Sequence, residues 1–175
     1  MAGMIRKAAE ADLDGVAAVY EALFDKEDRE GSWTNWKRGV SPTRETAAGS
    51  LARGELFVYE EEGKILASMR INHEQPDCYA QADWKYPAEG DEVMVIHTLC
   101  VDPARAGCGI GQEMLAYGKA YGKSIGCKVF RFDTFEGNRP AASLYEKLGY
   151  PVVAVVETLF EGSIHENLNL YECLL

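Results

Sequence analysis

The sequence predicts an α/β (α+β) domain, a sheet with helices laid against it, and three stretches carry that expectation. Residues 56–61 and 65–73 are β-rich runs separated by Glu62, Gly63 and Lys64, the pattern of an antiparallel hairpin. Residues 93–101 form a nearly continuous apolar run broken by His97 and Thr98, as in a central strand covered on both faces. That run passes through VDPARAGCGIG into a helix-forming segment, giving strand, glycine-rich turn and helix in succession. With 175 residues and 47% hydrophobic content the chain can bury one good core and is short for two, so a single domain over residues 1–175 is expected.

In order, residues 4–8 alternate apolar and charged as a first strand does, and Asp12 is placed to cap the helix that follows. In that helix Leu13, Val16, Ala17, Tyr20, Leu23 and Phe24 recur at three- and four-residue spacing and make one packing face. Over residues 25–40 the period dissolves among acids at 25, 27, 28 and 30 and tryptophans at 33 and 36, which reads as a long surface loop with room for a short helical piece. Ser41 and Pro42 signal a helix start with Pro42 in the first turn, and Gly54 signals its stop, giving a helix over 43–53. Beyond the hairpin, residues 74–91 hold two prolines, Trp84 and Tyr86 without steady period. This is an insertion, and one that is placed to border a substrate pocket.

After the glycine turn, Ile110, Met114, Tyr117, Tyr121 and Ile125 define one helix face, Gly118 and Gly122 admit a neighbouring backbone, and Gly126 ends the helix. Residues 128–134 form a strand. Asn138 then offers an N-cap with Pro140 in the first turn, and Ala141, Leu144, Tyr145 and Leu148 repeat at helical spacing up to Gly149. Residues 152–160 and 167–174 close the chain as two paired strands.

The 18 basic and 28 acidic residues give a formal net charge of −10, which opposes nonspecific nucleic-acid binding and suits a cationic or amine-bearing partner. Five cysteines, at 78, 100, 108, 127 and 173, are odd in number and include no C-x-x-C pair, so neither a zinc cage nor a disulfide framework is expected, and a reducing compartment is. Arg6, Lys7, Glu10, Asp12 and Asp14 stand where a signal peptide needs an apolar core, and no segment is long enough to span a bilayer. A cytoplasmic protein without membrane partners is the expectation.

The glycine turn has phosphate as its natural guest, because glycines expose main-chain N–H groups and the next helix points its positive end at the same place. A dinucleotide fingerprint fails at its third glycine, where Gln112 stands, although Asp133 falls about 20 residues on as that motif asks. A P-loop fails because Tyr117 occupies the glycine position that Gly122, Lys123 and Ser124 would need.

A third reading accounts for two segments together. LCVDPARAGCGIGQEML resembles the pyrophosphate-binding turn, Q/R-x-x-G-x-G/A, of the GNAT superfamily of acyl-CoA-dependent N-acyltransferases, and NRPAASLYEKLGY resembles that family's N-x-x-A-x-x-L-Y helix through Asn138, Ala141, Leu144 and Tyr145. The resemblance implies a GNAT fold, a central mixed and mostly antiparallel twisted sheet flanked by helices, and implies acetyl-CoA as cosubstrate and a primary amine as acceptor, whether of a small amine, an amino acid or antibiotic, or a protein. The acidic charge leans toward a small-molecule amine. It departs from the family at Ala106, which occupies the Gln or Arg position, with Arg105 one residue earlier. The resemblance also assigns roles. Tyr145 is the general acid toward the departing thiolate, its ordinary pKa near 10 keeping it protonated. His97 sits where a family member has a histidine in its base relay, and an ordinary pKa of about 6.5 suits that work. Main-chain groups of Leu99, Cys100 and Val101 bind pantetheine; Arg105, Ala106, Gly107, Cys108, Gly109, Ile110, Gly111 and Gln112 line the pyrophosphate turn; Asn138 and Ala141 contact the cofactor arm. A Cys100 acyl-enzyme with His97 as base is rejected, because residues three apart on a strand face opposite sides. Asp133 and Thr134 are substrate-side candidates, and the acids from 25 to 30 with Trp33, Trp36, Trp84 and Tyr86 border the acceptor site. No metal is expected, a homodimer is a candidate assembly, and a non-catalytic acyl-CoA-binding module is the alternative from another class.

Overall fold

Residues 3–175 are described by a computed structural model. In chain order the elements are β1 Met4–Lys7, α1 Leu13–Glu30, α2 Arg44–Ala52, β2 Leu56–Glu61, β3 Lys64–Asn72, β4 Val93–Val101, α3 Ile110–Ser124, β5 Val129–Phe135, α4 Arg139–Lys147, β6 Val152–Phe160 and β7 Ile164–Leu174. The strands form a mixed, mostly antiparallel sheet in the order β1-β2-β3-β4-β5-β7-β6, in which β4 and β5 run parallel. Among the described residues no helix is long and apolar enough to cross a membrane. Two compact units are distinguished: one holds the residues up to Ser32, Trp36–Ile71 and His97–Gly118, the other Trp33–Asn35, Asn72–Ile96 and Lys119–Leu175.

In the first unit β1, β2 and β3 pair antiparallel. Glu62 and Gly63 both take positive φ, 53° and 78°, so the β2–β3 connection is the two-residue turn whose twist matches the strands it joins. Leu13, Val16, Tyr20, Leu23 and Phe24 of α1 are buried, as their spacing foretells, with Ala17 partly buried. Val19, outside the predicted face, is buried as well, as are Phe57, Val58, Ala67 and Met69 of the strands.

Three expectations need correction here. The acidic stretch is not a loop until Ser32, because α1 continues through it to Glu30. Its charges are spent on the helix: Lys26 pairs with Glu30 one turn on, and Arg38 reaches back to Asp25 at 2.9 Å, Asp28 at 3.0 Å and also Glu21. Asp12 does not cap α1 with its side chain. Its carboxylate accepts the Ala9 N–H at 2.7 Å and pairs with Arg6 at 2.7 Å, and the Arg6 guanidinium holds its pKa down. Pro42 precedes α2 across a cis peptide, and the cap is Thr43, whose hydroxyl accepts the Thr46 N–H at 3.2 Å.

In the second unit β7 lies between β5 and β6, paired antiparallel with both, and begins three residues before the sequence suggests. Residues 74–91 are more ordered than an insertion without period leads one to expect. Two 3₁₀ turns, Asp77–Gln81 and Gly90–Glu92, form there, and Cys78 and Tyr79 enter a core with Val93, Val95, Val156, Leu168 and Leu170. Trp84 packs on Tyr79 at 5.2 Å between ring centroids. Gly122 is needed for close approach, since a Cβ there would lie 3.0 Å from Leu175 and 3.1 Å from Met94. Ile125 is not part of the buried helix face: it follows the end of α3 and is 48% exposed.

Candidate active site

In the first unit, the turn after β4 is hung on Asp102. This residue is buried, donates its N–H to Leu66 O at 2.7 Å, accepts the Ala104 N–H at 2.9 Å and receives Lys64 Nζ at 3.4 Å. A short 3₁₀ turn, Pro103–Arg105, follows, and the N–H groups of Ala106 and Cys108 are used up on Pro103 O and Arg105 O, both at 3.2 Å. Gly107 and Gly109 adopt φ of 78° and 87°, a region that favours glycine, although a Cβ on either would meet open space. Among the described residues the N–H groups of Gly107, Gly109, Ile110, Gly111 and Gln112 have no partner, and Glu113, bonded to Gly109 O at 3.0 Å, begins the α3 ladder. Buried Ile110 pins the start of α3, so these donors and the positive end of a 15-residue helix converge on one exposed spot. Arg105 is committed elsewhere, to Glu61 at 2.6 Å. Ala106 and Cys108 are exposed.

Upstream of the turn, Thr98 takes φ of 51° inside β4. A β-branched residue in that region is a genuine outlier of the kind that clusters at functional sites. His97 beside it and Leu99 and Val101 beyond are partly buried, while Cys100 is 2% exposed. The irregularity at Thr98 removes the simple alternation by which His97 and Cys100 were placed on opposite sides. A nucleophilic role for Cys100 fails for a different reason: burial, reinforced by the charges of Glu27 and Asp102, pushes the thiol far up and keeps it protonated.

In the second unit, Asn138 caps α4 by accepting the Ala141 N–H at 3.2 Å, with Pro140 in the first turn. Tyr145 is the buried residue of that helix, at 6% exposure. Its ring meets Phe132 at 4.8 Å and Tyr171 at 4.9 Å edge-on. Its hydroxyl has no hydrogen-bond partner among the described residues. None of the described buried side-chain oxygens or nitrogens lacks a partner, so this one is not sealed in. Burial, followed by the charge of Asp133 and by Tyr171, raises its pKa. On β5, Asp133 accepts the Tyr79 hydroxyl at 2.7 Å and its acid is pushed up to about 6, chiefly by burial and further by Glu166, against the lowering effect of Tyr79.

The model of the acetyltransferase (GNAT) family matches residues 17–150, which spans both signature segments. The chain belongs to this family. Among solved structures, a protein described as an acetyltransferase from Staphylococcus aureus Mu50 is 25% identical, with 98% of each chain covered and a TM-score of 0.71. A GNAT-family acetyltransferase from Streptococcus agalactiae 2603 is 20% identical over 99% of this chain and 95% of the other, with a TM-score of 0.80. The Salmonella typhimurium protein yncA, solved with its cofactor acetyl-CoA, is 20% identical over 100% and 95%, with a TM-score of 0.68. Among curated proteins none matches the chain.

As a GNAT member the protein is an acetyltransferase, and the chemistry of its turn fits the family's cosubstrate. A pyrophosphate asks for converging main-chain donors without Cβ shielding, and the turn offers them. The fold distributes the sequence-derived residues over both units: His97, Leu99, Cys100, Val101 and the whole turn in the first, Asn138, Ala141 and Tyr145 in the second. Tyr79 and Glu166, which surround Asp133, were not foreseen. Tyr79 lies in a stretch without period and Glu166 in an ordinary strand alternation, and neither carries a local signal.

Proposed function

We propose that this GNAT protein is a single catalytic domain that transfers the acetyl group of acetyl-CoA directly to a primary amine of a small molecule in the cytoplasm. The observation that carries the reading is the set of amides at the start of α3, those of Gly107, Gly109, Ile110, Gly111 and Gln112, that have no partner among the described residues. When bound, acetyl-CoA supplies the acetyl group as a reactive thioester. The amides of the turn hold its pyrophosphate, so Ala106 in place of a basic or amide side chain removes no main-chain donor. Main-chain groups of Leu99, Cys100 and Val101 align the pantetheine, and Asn138 and Ala141 stand by the arm. Tyr145, unpartnered and held protonated, gives its proton to the departing sulfur. Removal of the acceptor's proton falls to His97 or to a carboxylate.

Thermal shift with acetyl-CoA and CoA, followed by release of free CoA thiol over a panel of primary amines, tests the proposal. Ligand at 100 times its Kd adds about 2.7 kcal/mol. Stabilisation together with amine-dependent thiol release is expected. Stabilisation without thiol release by any amine favours a binding module instead, and no stabilisation by either ligand overturns both.

A further inference from the structure

Inside the second unit, two acids and two tyrosines gather about β5. Tyr79, 1% exposed, donates its hydroxyl to Asp133 Oδ2 at 2.7 Å. Glu166 of β7 is close enough for its charge to raise the Asp133 acid, and it accepts the Asn35 side-chain amide at 2.9 Å. Tyr145 of α4, 6% exposed as a whole, feels the Asp133 charge in turn, and its hydroxyl has no partner among the described residues. Asp133 Oδ1 has no hydrogen-bond donor among the described residues, yet it is not sealed from solvent.

Asp133 and Glu166 are partly buried, and acids held near one another away from full solvent ordinarily draw in a cation from the protein. Here the basic group two positions along β5, Arg131, is already spent: it binds Glu172 Oε2 at 3.0 Å, Gln75 at 2.6 Å and Tyr86 O at 2.8 Å, and lies 4.3 Å over the Trp84 ring. The other groups that interact with Asp133 are Cys78 and Tyr79 from the 3₁₀ turn and Tyr145 from α4, and none is a cation. The site therefore has two acids, a free carboxylate oxygen and a free hydroxyl, and lacks one positive charge with several N–H donors. That is the description of an alkylammonium ion.

We propose that Asp133, oriented by Tyr79 and assisted by Glu166, receives the acceptor's ammonium group and takes its proton, which makes the acceptors amines with no carboxylate beside the reacting nitrogen. The inference rests on the acetyltransfer reading. The ammonium passes one proton to Asp133 and on to solvent. The nitrogen then forms its bond to the acetyl carbon as the carbon–sulfur bond breaks, and the second proton it sheds balances the one Tyr145 delivers to sulfur. An α-amino acid would bring its own carboxylate against Asp133 and Glu166 with no free cation to meet it.

Matched pairs that differ only by a carboxylate test this: 2-phenylethylamine against phenylalanine, and histamine against histidine. The wild-type protein should favour the amine of each pair by at least about tenfold in kcat/KM. Asp133→Asn, which keeps the oxygen that Tyr79 bonds, should lower kcat/KM for the amine by about 10²-fold or more and abolish the acid limb near pH 6. Calorimetry should show weakened 2-phenylethylamine binding to the CoA-loaded variant and unchanged acetyl-CoA affinity. Tyr79→Phe should move the acid limb to higher pH, since the Tyr79 bond lowers the Asp133 acid. Equal or better use of the amino acids, binding of neither amine, or Asp133→Asn activity within about threefold of wild type with the limb intact overturns the inference. Absence of acetyl-CoA binding by the wild-type protein overturns the acetyltransfer reading first.

Discussion

Arg131 and Asp133 stand two residues apart on β5, on the same side of the strand, and differ in how completely their bonds are made. The Arg131 guanidinium and the Glu172 carboxylate, 3% and 1% exposed, form a closed network: Glu172 Oε1 accepts the N–H groups of Lys85 and Tyr86 while Oε2 takes Arg131. Asp133 has one bond, from Tyr79, and an acid raised to about 6. The first arrangement staples residues 72–91 to the sheet. The second is held at a cost, and a group held in that state marks a place where something other than the protein completes the bonds.

Breaking the closed network should produce the largest effect. Glu172→Ala leaves Arg131 buried and unpaired, and should cost about 3–5 kcal/mol of unfolding free energy in denaturant titration. A loss below about 1 kcal/mol would erase the contrast. Tyr145→Phe deletes a hydroxyl that bonds to nothing among the described residues, so its midpoint of unfolding should stay at the wild-type value. Its kcat should fall about 10²-fold, with acetyl-CoA affinity kept. A destabilised variant with normal kcat would make Tyr145 a packing residue. The half-exposed Arg105–Glu61 pair in the first unit sets the lower end. Arg105→Ala should change stability by about 0.5 kcal/mol or less and the KM for acetyl-CoA by no more than about threefold, because the turn grips with main-chain N–H groups. A tenfold rise in KM would assign Arg105 to a phosphate.

Much of this fold was legible because local chemistry and tertiary context agree. The 93–101 strand, the glycine turn and the Asn138 cap fall where spacing places them, since a positive-φ turn needs glycine and an exposed helix start needs a short polar cap. Residues 25–30 misled because acids on the solvent face of a helix leave no apolar period to read, and their partner Arg38 lies beyond the helix end. The irregularity at Thr98 was invisible because threonine favours strands and nothing in its type announces a positive φ. Within the candidate site the turn and Tyr145 were legible as motifs. The Tyr79–Asp133–Glu166 grouping was not, because register and packing bring together three elements far apart in sequence.

The most direct test of the contrast is unfolding free energy from pH 4 to pH 7.5 for the wild-type protein and Asp133→Asn. An acid raised from about 3.9 to about 6 on folding binds its proton more tightly in the native state, so it lowers stability as pH rises through that window and exacts its full cost above it. The variant should therefore gain roughly 2 kcal/mol on the wild-type protein between pH 4 and pH 6, remain the more stable of the two at pH 7.5, and be the weaker acetyltransferase. A wild-type protein that keeps pace with the variant across the window would contradict the account, since Asp133 would then be as well satisfied as Glu172.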